Sequence, residues 1–127
     1  MSEILFLKTN LSRLNIKITS VNGEKFVDKI TLNVTEDNGV LVGELTRQTV
    51  MQISKKSIKQ IITQQSLVID LQQVTRIDTA GLAWLFYLLE QANSSRCQLS
   101  FSNIPTKLKN LISLSGVEGF LPLANKS

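Results

Sequence analysis

The 127-residue sequence predicts a single α/β domain. Strand-like and helix-like stretches alternate along the last two-thirds of the chain. One short apolar run, "SLVIDL", is typical of a strand inside a sheet, and one long charge-poor stretch, "RIDTAGLAWLFYLLEQA", is typical of a helix. Alternation of this kind favours a sheet with parallel neighbours and right-handed crossovers.

The first thirty residues are the least regular part of the chain. The segment "RLNIKITSVNGEKFV" fits either a hairpin around Asn22-Gly23 or a loosely held extension. We therefore separate an N-terminal extension, residues 1–30, from a folded domain, residues 31–127. In "DKITLNVTEDNGVLVGEL", two strand-like runs flank the turn sequence "EDNG", which predicts an antiparallel hairpin.

A helix and a central strand follow this hairpin. The segment "RQTVMQISKKSIKQIITQ" is predicted to be helical because five apolar residues recur on a roughly helical period: Val50, Ile53, Ile58, Ile61 and Ile62. In "SLVIDL", the apolar run of residues 67–69 is continuous rather than alternating, which predicts a strand buried on both faces.

The last two predicted elements are a strand and a helix. The segment "CQLSFSNI" alternates at Leu99 and Phe101, as a strand does. Pro105 fits the first turn of a helix, and Gly116 fits its C-cap. Between them, apolar residues recur at Leu108, Leu111, Ile112 and Leu114.

Composition argues against several classes of function. The chain has no histidine, the commonest general base and metal ligand, and it has no phosphate-binding loop of the G-x-x-x-x-G-K-S/T type. The net charge of +4 is mild, and the lysines of "SKKSIKQ", Lys55, Lys56 and Lys59, are typical of a solvated helix face. We therefore expect no catalytic activity, no cofactor, no metal and no nucleic-acid partner.

Cysteine usage and hydropathy favour a cytoplasmic protein. The single cysteine, Cys97, excludes an intramolecular disulfide and fits a reducing compartment. The longest apolar run is far shorter than the ~20 residues that a membrane span needs. The N-terminus lacks the basic region and the cleavage site of a secretion signal.

The charge-poor helix predicts an interaction surface. On a helical wheel, Leu82, Leu85, Phe86 and Leu89 form a stripe that should face the sheet, flanked by Gly81, Leu88 and Ala92. Gly81 would allow close approach to a strand. The opposite side carries Ala80, Ala83, Trp84, Tyr87 and Gln91. Because Trp and Tyr are enriched among interface anchors, this side is expected to bind a partner. The alternatives are that other parts of the chain cover this side, or that it contacts a second copy of the protein.

The helix begins at a polar tip formed by Asp78 and Thr79. Either side chain can accept the free N–H groups of a first helical turn, a cap that contributes about 1 kcal/mol. A helix N-terminus also suits an anion, so a phosphate on Thr79 would be tolerated and would add about two negative charges. Thr79 is therefore a candidate phosphorylation site.

The stretch "VIDLQQVTRIDTAGLAWLFYLLEQA" resembles the central signature of the STAS domain family. In that family a buried strand ends in an acidic residue, followed by Ser or Thr, a small residue, Gly and Leu. The resemblance continues through "CQLSFSNIPTKLKNLISLSGVEGFLPL" and covers roughly residues 31–123. The anti-anti-sigma branch usually has Asp-Ser-Ser/Ala-Gly-Leu with a phosphorylated serine. Thr79 and the apolar helix are more similar to the MlaB branch, while the long N-terminal segment, Trp84 and Tyr87 depart from it.

The resemblance implies a fold, a partner and a contact surface. The implied fold is an α/β, SpoIIAA-like mixed sheet with helices packed mainly on one side. The implied function is non-catalytic: a cytoplasmic subunit binds the MlaF-like ATPase, and indirectly the permease, of a phospholipid ABC transporter that maintains outer-membrane lipid asymmetry. Carried over, the family's contact surface falls on Asp78, Thr79, Ala80 and Gly81, with Ala83, Trp84 and Tyr87 as outward neighbours.

A regulatory function is the alternative. In the anti-sigma factor antagonist branch, a partner kinase modifies the residue that corresponds to Thr79, and the modification changes partner choice. The sequence leaves both functions open.

Overall fold

The structure, a computed structural model, describes residues 30–124 and the backbone of residues 13–18. Its strands are β1 (Arg13–Ile18), β2 (Ile30–Thr35), β3 (Asn38–Leu45), β4 (Ser66–Asp70), β5 (Val74–Ile77) and β6 (Gln98–Ser102). Its helices are α1 (Arg47–Val50), α2 (Lys55–Ile61), α3 (Thr79–Ser94) and α4 (Thr106–Ser115). The hairpin that the sequence suggested around Asn22-Gly23 lies outside the described residues.

The strands form one mixed sheet in the order β1-β2-β3-β4-β6, with β5 paired to β3. β1, β2 and β3 are antiparallel neighbours, whereas β4, β5 and β6 are added in parallel. The predicted hairpin between β2 and β3 is present, with Glu36 in the left-handed region at φ 56°. β1 shows that part of the N-terminal extension joins the same sheet.

One face of the sheet is covered by helices. Buried residues alternate with more exposed ones along β2, β4 and β6, and they join the apolar residues of α2, α3 and α4 in one core. Core residues contributed by the helices include Ile58, Ile61, Leu85, Leu88, Leu108 and Ile112. The predicted α/β class, a mixed sheet with helices on one side, is confirmed.

Two sequence predictions about individual elements are wrong, and one strand was not predicted. β4 is not buried on both faces: Leu67 and Ile69 are buried, but Val68 between them is partly exposed. The predicted helix between β3 and β4 is two helices, because the Ser54 hydroxyl accepts the N–H of Ser57 at 3.0 Å and starts a second helix. β5, with only four residues, was not predicted at all.

β3 changes its neighbour midway. Asn38–Val40 pair with β4, and Gly43–Leu45 pair with β5 after a shift of register between Gly43 and Glu44. Gly43 has φ 120°, a conformation that favours glycine. This bulge lets β3 pair with β4 at one end and with β5, the strand that leads into α3, at the other.

The last helix is as predicted. Pro105 is the residue before its first turn, and Gly116 closes it with φ 70°. Beyond it, Leu123 pairs with Phe101 at the edge of β6. Within the described residues, no helix has both the length and the apolar character that a membrane crossing requires.

Candidate functional site: the outer stripe of the central helix

The junction between β5 and α3 is organised by Asp78. One carboxylate oxygen, Oδ1, accepts the backbone N–H of Gly81 at 2.9 Å and caps α3. The other, Oδ2, accepts the backbone N–H of Arg47 at 3.0 Å, at the start of α1. Of the two residues predicted to cap the helix, Asp78 makes the cap. Thr79, the first residue of α3, is left exposed to solvent.

The corner between β3 and α1 is held by Thr49. Its buried hydroxyl donates to the carbonyl of Glu44 at 2.8 Å and accepts the N–H of Thr46 at 2.9 Å. A four-residue helix has almost no intrinsic stability, so these bonds and its contact with α3 keep α1 in place. The corner in turn fixes the backbone N–H that Asp78 binds.

Gly81 brings α3 against β3. A Cβ atom built on Gly81 would collide with the backbone carbonyl of Leu45. Asp78 adds a further link, because its backbone N–H donates to the same Leu45 carbonyl at 3.3 Å. The prediction that Gly81 permits close approach of helix and strand is therefore confirmed.

The predicted orientation of α3 is wrong for Trp84. The wheel placed Trp84 on the outward side, but the side chain is only 7% exposed and belongs to the core. Phe86 and Leu89, predicted to face the sheet, are only partly buried. The helix is rotated so that its most buried residues are Gly81, Leu85, Leu88 and Ala92, which recur at i, i+4, i+7 and i+11.

The solvent side of α3 consists of Thr79, Ala83, Phe86, Tyr87 and Glu90, which we call the outer stripe. Tyr87 is 39% exposed, and Thr79, Ala83 and Glu90 are also exposed. Ala83, Phe86, Tyr87 and Glu90 line a shallow surface depression together with Leu89 and Asn93. Of the residues predicted for the contact surface, Thr79, Ala83 and Tyr87 share this side, Asp78 and Ala80 are partly buried, and Gly81 and Trp84 are buried.

Phe86 and Glu90 belong to this surface, although the sequence argument did not select them. The sequence nevertheless contains a feature that points to them. Gly81 is predicted to allow close approach to a strand, and a residue of close approach belongs at the centre of the buried stripe. Placing Gly81 there would have turned Trp84 inward and Phe86 outward.

The outer stripe has the chemistry of a surface that binds a protein. It offers a small apolar surface, two hydroxyl groups and one carboxylate. Between residues 30 and 124 there is no group of three His, Cys, Asp or Glu side chains that could hold a metal. Cys97 is buried away from the stripe, and burial raises the pKa of its thiol, which disfavours the nucleophilic thiolate.

A family model described as "Mlab, STAS domain" matches residues 35–123. The chain belongs to the MlaB-type STAS domain family. Among curated proteins, none matches this STAS domain significantly in sequence. The match contains the whole segment from β3 to Leu123, including the Asp78 junction and the outer stripe.

Solved structures confirm the STAS fold. Unphosphorylated SpoIIAA, an anti-sigma factor antagonist, is similar with a TM-score of 0.58 and 18% identity over 76% of this chain and 89% of that one. Phosphorylated SpoIIAA from Bacillus has a TM-score of 0.54 and 17% identity over 76% and 92%. The murine anion transporter Slc26a9 has a TM-score of 0.52 and 17% identity over 94% of this chain, which corresponds to 21% of the transporter.

Proposed function

We propose that this STAS domain is a non-catalytic accessory subunit that binds the cytoplasmic ATPase of an Mla-type phospholipid ABC transporter. Binding would support assembly or activity of the transporter, and thereby outer-membrane lipid asymmetry. The permease would be an indirect partner, and the protein would lie on the cytoplasmic side of the inner membrane. The observation that carries the proposal is the family match over residues 35–123, which includes the outer stripe.

The geometry of α3 supports a docking role. Its inner side is fixed by Gly81 against Leu45 and by the Asp78 cap, so the outer stripe is held on a rigid element. A surface that is already rigid loses less conformational entropy when a partner binds. Tyr87 supplies an aromatic anchor, and the small Ala83 beside it leaves room for a side chain from the partner.

The proposal is tested by binding of the purified chain to the purified ATPase of the native host. Ala83→Glu places a charge in the centre of the outer stripe and is expected to weaken binding by a factor of ten or more, about 1.4 kcal/mol or more. Asn110→Glu, at an exposed position of α4, adds the same charge elsewhere and should bind normally. Equal binding by Ala83→Glu and the unmodified chain would contradict the proposed surface.

A phosphoswitch is the second candidate function, and the exposure of Thr79 favours it. The residue stands at the N-terminus of a 16-residue helix, where a phosphate is tolerated. SpoIIAA, a structural neighbour, is described in both phosphorylated and unphosphorylated forms. Intact mass of protein isolated from cells distinguishes the functions: added phosphate that disappears in Thr79→Ala would support the switch, and unmodified protein under every growth condition would oppose it.

A further inference from the structure

Basic side chains cluster on the segment that leads from β3 into α2. Between Glu44 and Asp70 the chain carries cations and no carboxylate. These cations, which we call the basic flank, are Arg47, Lys55, Lys56 and Lys59. All of them are exposed. No ion pair within residues 30–124 involves any of them, since the pair found there joins Arg76 to Glu44.

The basic flank begins next to the outer stripe. The backbone of Arg47 is bound by Asp78, the residue before Thr79, and α1 packs against α3. α2 follows α1 and buries Ile58 and Ile61 in the shared core, which turns its lysines towards solvent. Arg47 therefore lies on a helix that packs against α3, and the three lysines follow on the next helix, which shares the same core.

Nearby carboxylates do little to neutralise this charge. α3 carries a single charged side chain, Glu90, three turns away from Thr79. Two carboxylates lie near the start of the flank, beside Arg47, and both have other partners: Asp78 accepts two backbone N–H groups, and Glu44 pairs with Arg76. Among residues 30–124, no carboxylate pairs with the lysines of α2. A cluster of like charges without partners produces a positive potential that extends about one Debye length, roughly 8 Å at physiological ionic strength.

We infer that the basic flank docks against an acidic surface of the same protein partner that the outer stripe contacts, and that it accelerates their association. This inference rests on the proposed function, because the partner is the transporter ATPase. Complementary charge at the rim of an apolar contact mainly raises the association rate and adds less to the lifetime of the complex. The stripe would supply the contact area, and the flank would supply the electrostatic attraction.

A membrane surface fits the basic flank less well than a protein does. Helices that lie in a membrane interface bury bulky apolar side chains among the lipids beneath their lysines. The isoleucines of α2, Ile58 and Ile61, are already buried in the protein core. The exposed residues of α2, Lys55, Lys56, Lys59 and Gln60, offer nothing apolar for lipid, and Met51 is the single exposed large apolar side chain between Arg47 and Lys59.

The test measures association rates between the full chain and the ATPase at about 0.01 M and about 0.15 M ionic strength. Reversal of all three lysines, Lys55→Glu, Lys56→Glu and Lys59→Glu, should lower the association rate constant roughly tenfold at low ionic strength and flatten its salt dependence. The dissociation rate constant should change by less than about twofold. Thermal unfolding of the same variant checks that the domain still folds.

The matched control reverses three exposed cations elsewhere: Arg96→Glu, Lys107→Glu and Lys109→Glu. It changes net charge by the same amount and should alter the association rate constant by less than about twofold. Equal effects of the two triple variants would overturn the inference, because net charge alone would then act. Loss of binding to phosphatidylglycerol vesicles by the flank variant, with ATPase association unchanged, would overturn it in favour of a membrane.

The proposed function can fail separately. If the unmodified chain shows no binding to the ATPase at any ionic strength, both the proposed function and the inference are wrong. If it binds with an association rate that neither salt nor the lysine reversals change, only the inference is wrong.

Discussion

The carboxylate of Asp78 accepts the backbone N–H of Arg47 at 3.0 Å across 31 residues of chain, while also capping its own helix through Gly81. One side chain therefore accepts a backbone N–H group from the first turn of each of two helices. Asp78 thereby joins the start of α3, which carries the outer stripe, to the start of α1, where the basic flank begins.

Replacement of Asp78 should destabilise the domain more than loss of an ordinary cap. Asp78→Ala leaves two backbone N–H groups without their acceptor, and we expect the free energy of unfolding to fall by about 2 kcal/mol. Urea unfolding of the two proteins measures this difference in free energy. Asp70→Ala is the control, because Asp70 accepts one backbone N–H, from Gln72, and should cost about 1 kcal/mol. Equal losses would show that the Arg47 contact contributes nothing.

Gly81→Ala should be severely destabilising although alanine is the better helix former. The gain in helix propensity is about 1 kcal/mol, but the new Cβ meets a backbone carbonyl, that of Leu45, which cannot move as a side chain can. We expect a net loss of at least about 2 kcal/mol in urea unfolding. Gly119→Ala, where a Cβ would meet nothing within 4 Å, should be close to neutral. An unchanged midpoint for Gly81→Ala would show that α3 does not approach β3 this closely.

Trp84 should behave as a core residue in mutagenesis. Trp84→Ala is expected to cost about 3–5 kcal/mol, and Trp84→Glu should fail to fold, so loss of binding in either would not map a docking surface. The indole N–H is buried without an acceptor among the described residues. Trp84→Phe keeps an aromatic ring and removes that N–H, so it should cost well under half as much as Trp84→Ala. Normal stability of Trp84→Ala would show that Trp84 is not a buried core residue.

Cys97 should be protected in the folded protein. At about pH 8, iodoacetamide should modify the thiol slowly until urea unfolds the domain, because burial raises the pKa of the thiol and disfavours the reactive thiolate. Mass spectrometry of the alkylated protein follows the reaction. Equal rates with and without urea would contradict the burial of Cys97.

The same pKa shift predicts how stability changes with pH. Well below about pH 8.5, the ordinary pKa of an exposed thiol, Cys97 is neutral in both the folded and the unfolded state and the full stability is present. As pH rises further, the unfolded thiol ionises before the folded one, so the free energy of unfolding should fall. Cys97→Ala should lack this part of the alkaline decrease.

Several features of the fold follow from sequence because their causes are local. The Asp78 cap, the hairpin between β2 and β3, and the α4 boundaries at Pro105 and Gly116 depend on residues within a few positions of one another. β5 was missed because four residues provide too little periodicity. The break between α1 and α2 was missed because the apolar spacing of Val50, Ile53 and Ile58 continues across it.

A helix over residues 79–92 with a polar tip can be predicted from sequence, since capping and helix propensity are local properties. Which side of that helix faces water depends on contacts with distant parts of the chain. α3 has apolar residues almost all the way round, so burial favours no single rotation strongly. The contact of Gly81 with Leu45 selects the rotation, and it buries Trp84 and exposes the outer stripe. That contact joins residues 36 positions apart, so its effect on α3 can be known only from the fold.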